Sequence, residues 1–393
     1  MSLNLPPVPP RTTPRIASLT TVVLVLALLL ATTVPSPALA GKCPKMNKQC
    51  PANVPFCNKY GYCSTTLADG MPQEGCNAGG SYPGVCADRN GCKNFKVDFD
   101  SPSQCPPRSS FGGNPDAQPF YDQFANAEVK DSNVVLHMKY NNQLKSGMIS
   151  KIASARYFKY GNFSARIRIP NPGKGFAYSF IWKTSVDRDD VGDEIDFEWI
   201  PYKNRHEVQT NWFAGGLIDY TKGISWVFPD NATTTDYHVY TIVYEPERIV
   251  WVVDDIPIRT VKKTGNNGTD FPSSEGMLFA SIWDSCLSAP GTQAWAGGPS
   301  EWCGENATSQ AKGQDFTMLV DWVQVQCMNG YVDTADTRVV KRPLSSGPSG
   351  SSSGGSSIGI DPSINLNAAA RASAHWAWAA GVAGLAAVAG LAL

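Results

Sequence analysis

Three acidic side chains alternate within Val191–Trp199, VGDEIDFEW: Glu194, Asp196 and Glu198, separated by Ile195 and Phe197. Side chains alternate across a β-strand, so the acids share one face and the apolar pair takes the other. Carboxylates crowded on one face repel, and at least one pKa must rise. A fold has no structural need for that arrangement, but a carboxylate-based enzyme does. Cleaving a glycosidic bond with retention requires a nucleophilic carboxylate and a protonated acid/base about 5–5.5 Å apart. Residues i and i+4 of a flat strand lie roughly 13 Å apart at Cα, so Glu194 and Glu198 must lean together, which a curved sheet permits. Asp196 between them is placed to hold a proton and to push the flanking pKa values apart. The competing readings are a solvated strand face and a Ca²⁺ site. The apolar face of Ile195, Phe197 and Trp199 argues against the first, and the lack of a glycine-turn ligand loop against the second.

The elements that must position these acids are strands. From about Phe95 to Val325, stretches such as FSARIRIP, HVYTIVYEPERIVWVVDDIPIRTV and FTMLVDWVQVQ carry β-branched and aromatic residues, punctuated by Asp, Asn, Gly and Pro. No long helical periodicity interrupts them, so the expected fold is all-β, a large antiparallel sandwich. Asp254-Asp255-Ile256 reads as a hairpin turn. No glycine-rich phosphate loop is present, and His137, His206, His238 and His375 are too scattered for a metal site, so neither metal nor cofactor is expected. The net charge of −1 offers no argument for a nucleic-acid partner.

Both ends read as targeting segments. Arg11 and Arg15 precede an apolar run from Ile16 to Val34, and Ala38-Leu39-Ala40 gives a small-x-small cleavage pattern. The alternative is a membrane anchor. Near the other end, SSGPSGSSSGGSS (345–357) is a flexible spacer, and an apolar run from Trp376 to Leu393 closes the chain. Small residues after Asn367, a short spacer and that tail resemble a GPI-anchor signal with attachment at Asn367; an ordinary membrane helix is the alternative. The expected organisation is a signal peptide (1–40), a cysteine-rich module (41–92), a catalytic sandwich (93–330), a Ser/Gly-rich linker (331–367) and a removed anchor signal (368–393). Eleven cysteines on a secretory route suggest disulfides. Asn162, Asn231, Asn267 and Asn306 open N-glycosylation sequons.

Residues 43–63, CPKMNKQCPANVPFCNKYGYC, are too short to build a core and must be stapled. Tyr60 and Tyr62 flank Gly61, and two exposed rings side by side make a platform for sugar faces. A purely structural knot is the alternative. The segment resembles a hevein-type chitin-binding module, centred on Cys-Cys-Ser-x-aromatic-Gly-aromatic-Cys. Here Phe56 stands for the first of the paired cysteines, Asn58 for the serine, and Gly70 for the later cysteine that partners the first. The resemblance implies bridges Cys43–Cys57 and Cys50–Cys63. Cys76, Cys86, Cys92 and Cys105 cannot be paired from sequence, although Cys76–Cys86 is plausible.

The wider pattern resembles glycoside hydrolase family 16, and within it the fungal Crh-type cell-wall transglycosylases. DEIDFEW, VQTNWF (Val208–Phe213), VWVVDDIPIRT and SIWDSCLSAPGTQAWAGGPSEW follow one another in the family's order. The resemblance implies a curved, concanavalin-like jelly roll with Glu194 as nucleophile, Asp196 as its assistant and Glu198 as acid/base. It implies donor contacts at Trp283 and Thr292, cleft platforms at Trp295 and Trp302, and sugar hydrogen bonds from Gln209 and Asn211. The stretch 277–282, MLFASI, is apolar where polar sugar contacts are implied. Cys286 and Cys303 bracket the Trp295 loop and are placed to staple it. The expected activity is cleavage of β-1,4-linked chitin with retention and transfer of the chain to β-glucan. The enzyme would be a monomer, secreted and GPI-anchored at the outer face of the plasma membrane and in the cell wall. An endo-β-glucanase of the same fold and a non-catalytic wall lectin are the rival readings.

Overall fold

The computed structural model describes residues 41–335, apart from 45–48, 59, 72–73, 88, 185–191, 218, 265–269, 305–306 and 308–312. The expected signal segment, the linker from residue 336 and the anchor signal lie outside the described residues, as do Asn267, Asn306 and Asn367.

In the cysteine-rich segment, β1 (Phe56–Cys57) pairs antiparallel with β2 (Cys63–Ser64). Then come β3 (Phe95–Val97), β4 (Phe120–Asp122), β5 (Ala127–Lys130), β6 (Asn133–Asn141), β7 (Ser146–Met148), β8 (Ser150–Ser154) and β9 (Gly161–Asn171). They are followed by β10 (Phe176–Lys183), β11 (Glu194–Trp199), β12 (Glu207–Phe213), β13 (Ile224–Val227) and β14 (His238–Glu245). The last are β15 (Arg248–Val253), β16 (Ile256–Lys262), β17 (Met277–Asp284) and β18 (Phe316–Cys327). A short helix, α1 (Pro290–Trp295), follows β17.

Two antiparallel sheets pack face to face, giving the all-β sandwich expected from the strand-and-turn texture. The front sheet runs β13-β12-β11-β10-β17-β8-β4. The back sheet runs β16-β15-β14-β9-β18-β6-β5, with β3 on β18 and β7 on β6. Period-2 alternation builds the core. Phe163, Ala165, Ile167 and Ile169 of β9 and Tyr240, Ile242 and Tyr244 of β14 meet Phe180, Trp182, Ile195, Phe197 and Trp199 of the front sheet. Asp254 and Asp255 join β15 to β16 with φ of 47° and 66°. Two left-handed residues in a two-residue loop match the twist of the flanking strands.

Strand β17 explains the apolar stretch 277–282. Leu278, Ala280 and Ile282 point into the core. Met277 and Phe279 point to the front, where they form a second cluster with Tyr121 and Ala153 of the sheet and Phe56, Ala68, Met71 and Val85 of the cysteine-rich segment. The small segment therefore covers part of the front sheet, and the polar sugar contacts expected there give way to an apolar docking patch. Phe56, standing where the resemblance has a cysteine, is wholly buried in that patch. Gly70, at the position of the missing partner, is buried in the turn Leu67–Gly70. An apolar contact with the sandwich thus occupies the place of the lost bridge.

A polar lock borders the patch. Arg108 pairs with Asp69 and, at 3.2 Å, with Glu74, whose side chains are almost wholly buried. The Tyr121 hydroxyl and the Gln123 amide donate to Glu74 Oε1 at 2.5 and 2.9 Å. Bridges join Cys43–Cys57, Cys50–Cys63 and Cys76–Cys86 within the small segment and Cys286–Cys303 around α1. Cys92–Cys327 ties the start of the sandwich to its last strand across 235 residues. Cys105 is the free, buried cysteine among the described residues, and burial pushes its thiol pKa up.

Candidate active site

Ile195, Phe197 and Trp199 are fully buried in the core, which turns Glu194, Asp196 and Glu198 together onto the front face. The Trp251 indole donates to the Asp196 carbonyl at 2.9 Å and pins β11 from behind. On one side β10 sets Lys183, Ile181 and Ser179 opposite the three acids. On the other, β12 sets Phe213, Asn211 and Gln209 opposite them. The triplet thus occupies the middle of a sheet, where both neighbouring strands hold it rigid.

The three acids differ in environment. Lys183 Nζ lies 2.8 Å from Glu194 Oε2, and both side chains are nearly buried. Asp196 is 1% exposed, and one of its carboxyl oxygens has no hydrogen-bond partner among the described residues. Burial, and then the charges of Glu198 and Glu194, raise its pKa well above the usual carboxylate range. Burial and the Glu194 charge push Glu198 up to about 8, with Lys183 pulling the other way. The three acids are thus unequal: Asp196 and Glu198 are raised by burial and by their neighbours' charges, while Glu194 sits against the Lys183 ammonium. This is the division of labour that acid/base chemistry on a glycosidic bond requires.

Side chains around the acids supply walls and hydrogen bonds. The Trp283 and Trp295 rings stack with centroids 6.0 Å apart, and Trp283 packs on Ala177 and Ile200. Trp295 Nε1 donates to Gln209 Oε1 at 2.9 Å, while Gln209 Nε2 donates to Glu207 Oε1 at 3.1 Å. Asn211 is buried opposite Asp196, and its Oδ1 accepts from the Trp212 N–H. Helix α1 is followed by Gly297 and Gly298, whose φ of 92° and 104° suit glycine.

Two expected positions lie elsewhere. Trp302 is 0% exposed and packs edge-on against Tyr140, Phe176 and Phe316 in the sandwich core. It is a core residue and not a cleft platform. Thr292 is likewise fully buried on α1, so it offers no surface to a donor sugar. Tyr60 and Tyr62 are both exposed, and the Asn58 side chain accepts from both of their backbone N–H groups at 3.1 Å. Asn162 and Asn231 are exposed on the surface.

Two residues near the acids carry no recognisable motif. Lys183 ends an apolar strand, and nothing in its sequence neighbourhood announces its partner. Tyr220 follows β12 and packs edge-on against Phe213, the residue opposite Glu194. Its hydroxyl is buried without a hydrogen-bond partner among the described residues. Burial and the charges of Glu194 and Glu198 raise its pKa. Arg259 of the back sheet donates to the carbonyls of Thr210 and Lys222 at 2.7 and 2.6 Å, holding the Tyr220 turn against β12.

A two-layer β-sandwich with three alternating carboxyl groups on its front sheet, one against a lysine and two raised by burial, has the build of a glycoside hydrolase. Residues 116–324, more than half of the chain, match Glycosyl hydrolases family 16, and the chain belongs to that family. It is 31% identical over 294 residues to Crh-like protein 2 of Aspergillus fumigatus, covering 72% of this chain and 62% of that protein. It is 32% identical over 210 residues to the probable glycosidase CRR1 of Saccharomyces cerevisiae, covering 51% and 46%. A probable xyloglucan endotransglucosylase/hydrolase of Arabidopsis thaliana, protein 27, is 33% identical over 141 residues, covering 34% and 41%. The chain thus spans less than two thirds of the length of each of these relatives.

Proposed function

We propose that this chain is a retaining transglycosylase of the cell wall that cleaves β-1,4-linked chitin and passes the chain to a β-glucan hydroxyl. The observation that carries the reading is the difference in environment along one strand face, with Lys183 Nζ 2.8 Å from Glu194 and burial and the Glu194 charge pushing Glu198 up to about 8. Glu194 attacks the anomeric carbon while Glu198 gives its proton to the departing oxygen, leaving a glycosyl ester on Glu194. Asp196, protonated and beside Glu194, steadies the nucleophile. Glu198, now a carboxylate, takes the proton of the incoming hydroxyl, which attacks the ester and keeps the β-configuration. Stacked Trp283 and Trp295 favour a sugar over water at that step.

Chitin as donor is supported by the hevein-like segment with its exposed Tyr60 and Tyr62. Transfer is in keeping with the relatives named Crh-like and endotransglucosylase. The signal-like and anchor-like ends support secretion and a GPI tether that leaves the enzyme facing the wall polymers. The test is a reaction of labelled chitin oligomers with soluble β-glucan oligomers. Mixed chitin–glucan products with β-configuration are expected. Purely hydrolytic products at high acceptor concentration would make the chain a hydrolase, no turnover would make it a lectin, and inverted anomers would refute the two-glutamate mechanism.

A further inference from the structure

Lys183 is a buried lysine in the middle of a carboxylate site, and lysine is almost never buried without an anion. It lies directly opposite Glu194 in the β10–β11 register, with Nζ 2.8 Å from Oε2. On its other side, β17 sets Met277 opposite it, a residue of the patch covered by the cysteine-rich segment. That apolar neighbour limits water around the ammonium, so its charge is weakly screened and extends beyond one partner. It is felt at Glu198, where Lys183 opposes the upward push of burial. Titratable groups that feel the Glu194 charge include Asp196 and Glu198 of β11 and Tyr220 of the turn after β12. Arg259 of β16 acts on Asp196, and Lys151 of β8 is directed onto the Phe279 ring.

The double displacement moves a charge. Before the first step Glu194 carries the negative charge and Glu198 a proton. In that step the bond from Glu194 to the anomeric carbon forms, the bond to the leaving oxygen breaks, and the Glu198 proton goes to that oxygen. Glu194 becomes a neutral ester and Glu198 a carboxylate. In the second step the acceptor proton goes to Glu198, the ester breaks, and the charge returns to Glu194. We propose that Lys183 is a positioning residue whose fixed positive charge holds the site's negative charge on Glu194 before the first step and stabilises it on Glu198 after. This rests on the retaining reading above. Lys183 thus serves both half-reactions without moving, since both seats of the charge lie within its field.

The test uses Lys183→Met, with Lys183→Gln as a second neutral variant should the first not fold, and Lys183→Arg as the charge-conserving control. With a natural chitin oligomer as donor, the alkaline limb of kcat/KM should move up by about one pH unit in the neutral variants. With a nitrophenyl chito-oligosaccharide, whose leaving group needs no proton, the second step should slow by about tenfold at pH 6. The covalent adduct on Glu194 should then accumulate and be seen by intact mass. Lys183→Arg should restore the wild-type limb. An unmoved limb and no adduct in a folded neutral variant would overturn the proposal. Glu198→Gln with the nitrophenyl donor reads the underlying chemistry separately: it should accumulate the adduct whatever Lys183 does. If it does not, the double displacement falls and the role of Lys183 falls with it.

Discussion

The Trp295 indole nitrogen and the Gln209 side-chain oxygen lie 2.9 Å apart, joining a helix late in the chain to β12, the strand beside the acid-bearing β11. The contact holds Trp295 against Trp283 at the edge of the front face, seven residues in sequence from a tryptophan that does something else. Trp295→Ala or Trp283→Ala should raise the donor KM by about tenfold, or 1.4 kcal/mol. Trp302→Ala should leave KM unchanged and cost about 3–5 kcal/mol of stability. Steady-state kinetics beside urea unfolding would separate the two; a KM effect at Trp302 would refute its assignment to the core.

Glu194→Gln and Glu198→Gln should each lower turnover by about a thousandfold or more. Asp196→Asn should be impaired less, because in the proposed mechanism it only steadies its neighbour. Azide offered to Glu194→Gly with an activated donor should give the α-glycosyl azide, and offered to Glu198→Gly the β-glycosyl azide. The reverse pattern would exchange the two roles.

In the proposed mechanism Glu198 holds its proton in the first step, so activity should fall as pH rises through about 8. Folding is linked to the same group. Its folded pKa lies above the ordinary glutamate value of 4.5, so the native state binds the proton more tightly than the unfolded chain does. That stability is present in full below the unfolded pKa and is lost as pH rises through the folded one. Buried Asp196 acts in the same direction. Glu198→Gln should therefore gain Tm relative to the parent at pH 9 but not at pH 4. A Tm difference equal at both pH values would contradict the shift.

The cysteine-rich segment should not behave as a detachable bead. Phe56→Ala should cost about 3–5 kcal/mol. Arg108→Met, which removes the cation shared by buried Asp69 and Glu74, should cost a similar amount, about 3–5 kcal/mol. The segment and the sandwich should melt together in calorimetry; two separate transitions would show the docking to be weak.

Tyr60→Ala combined with Tyr62→Ala should abolish retention on insoluble chitin while leaving Tm unchanged, since both rings are exposed. Undiminished pull-down would remove the hevein-like segment from substrate binding.

The sequence by itself determined what depends on near neighbours. Strand period 2 puts Glu194, Asp196 and Glu198 on one face whatever the rest of the chain does. The same period marks β9, β14 and β18, and two aspartates before Ile256 mark the hairpin between β15 and β16. Tertiary structure decided what depends on register and on the third dimension. Lys183 meets Glu194 only because β10 and β11 pair with those residues opposite, and the intervening segment could have set another register. Phe279 reads as an ordinary strand residue, yet its front-facing side is covered by a segment more than two hundred residues earlier. Trp295 and Trp302 share one glycine-rich loop that has no periodicity to sort inward from outward, so burial alone separates cleft from core. Cys92 finds Cys327 for the same reason: closing so long a loop leaves no local trace in the sequence, and only the path of the sheets brings the two thiols together.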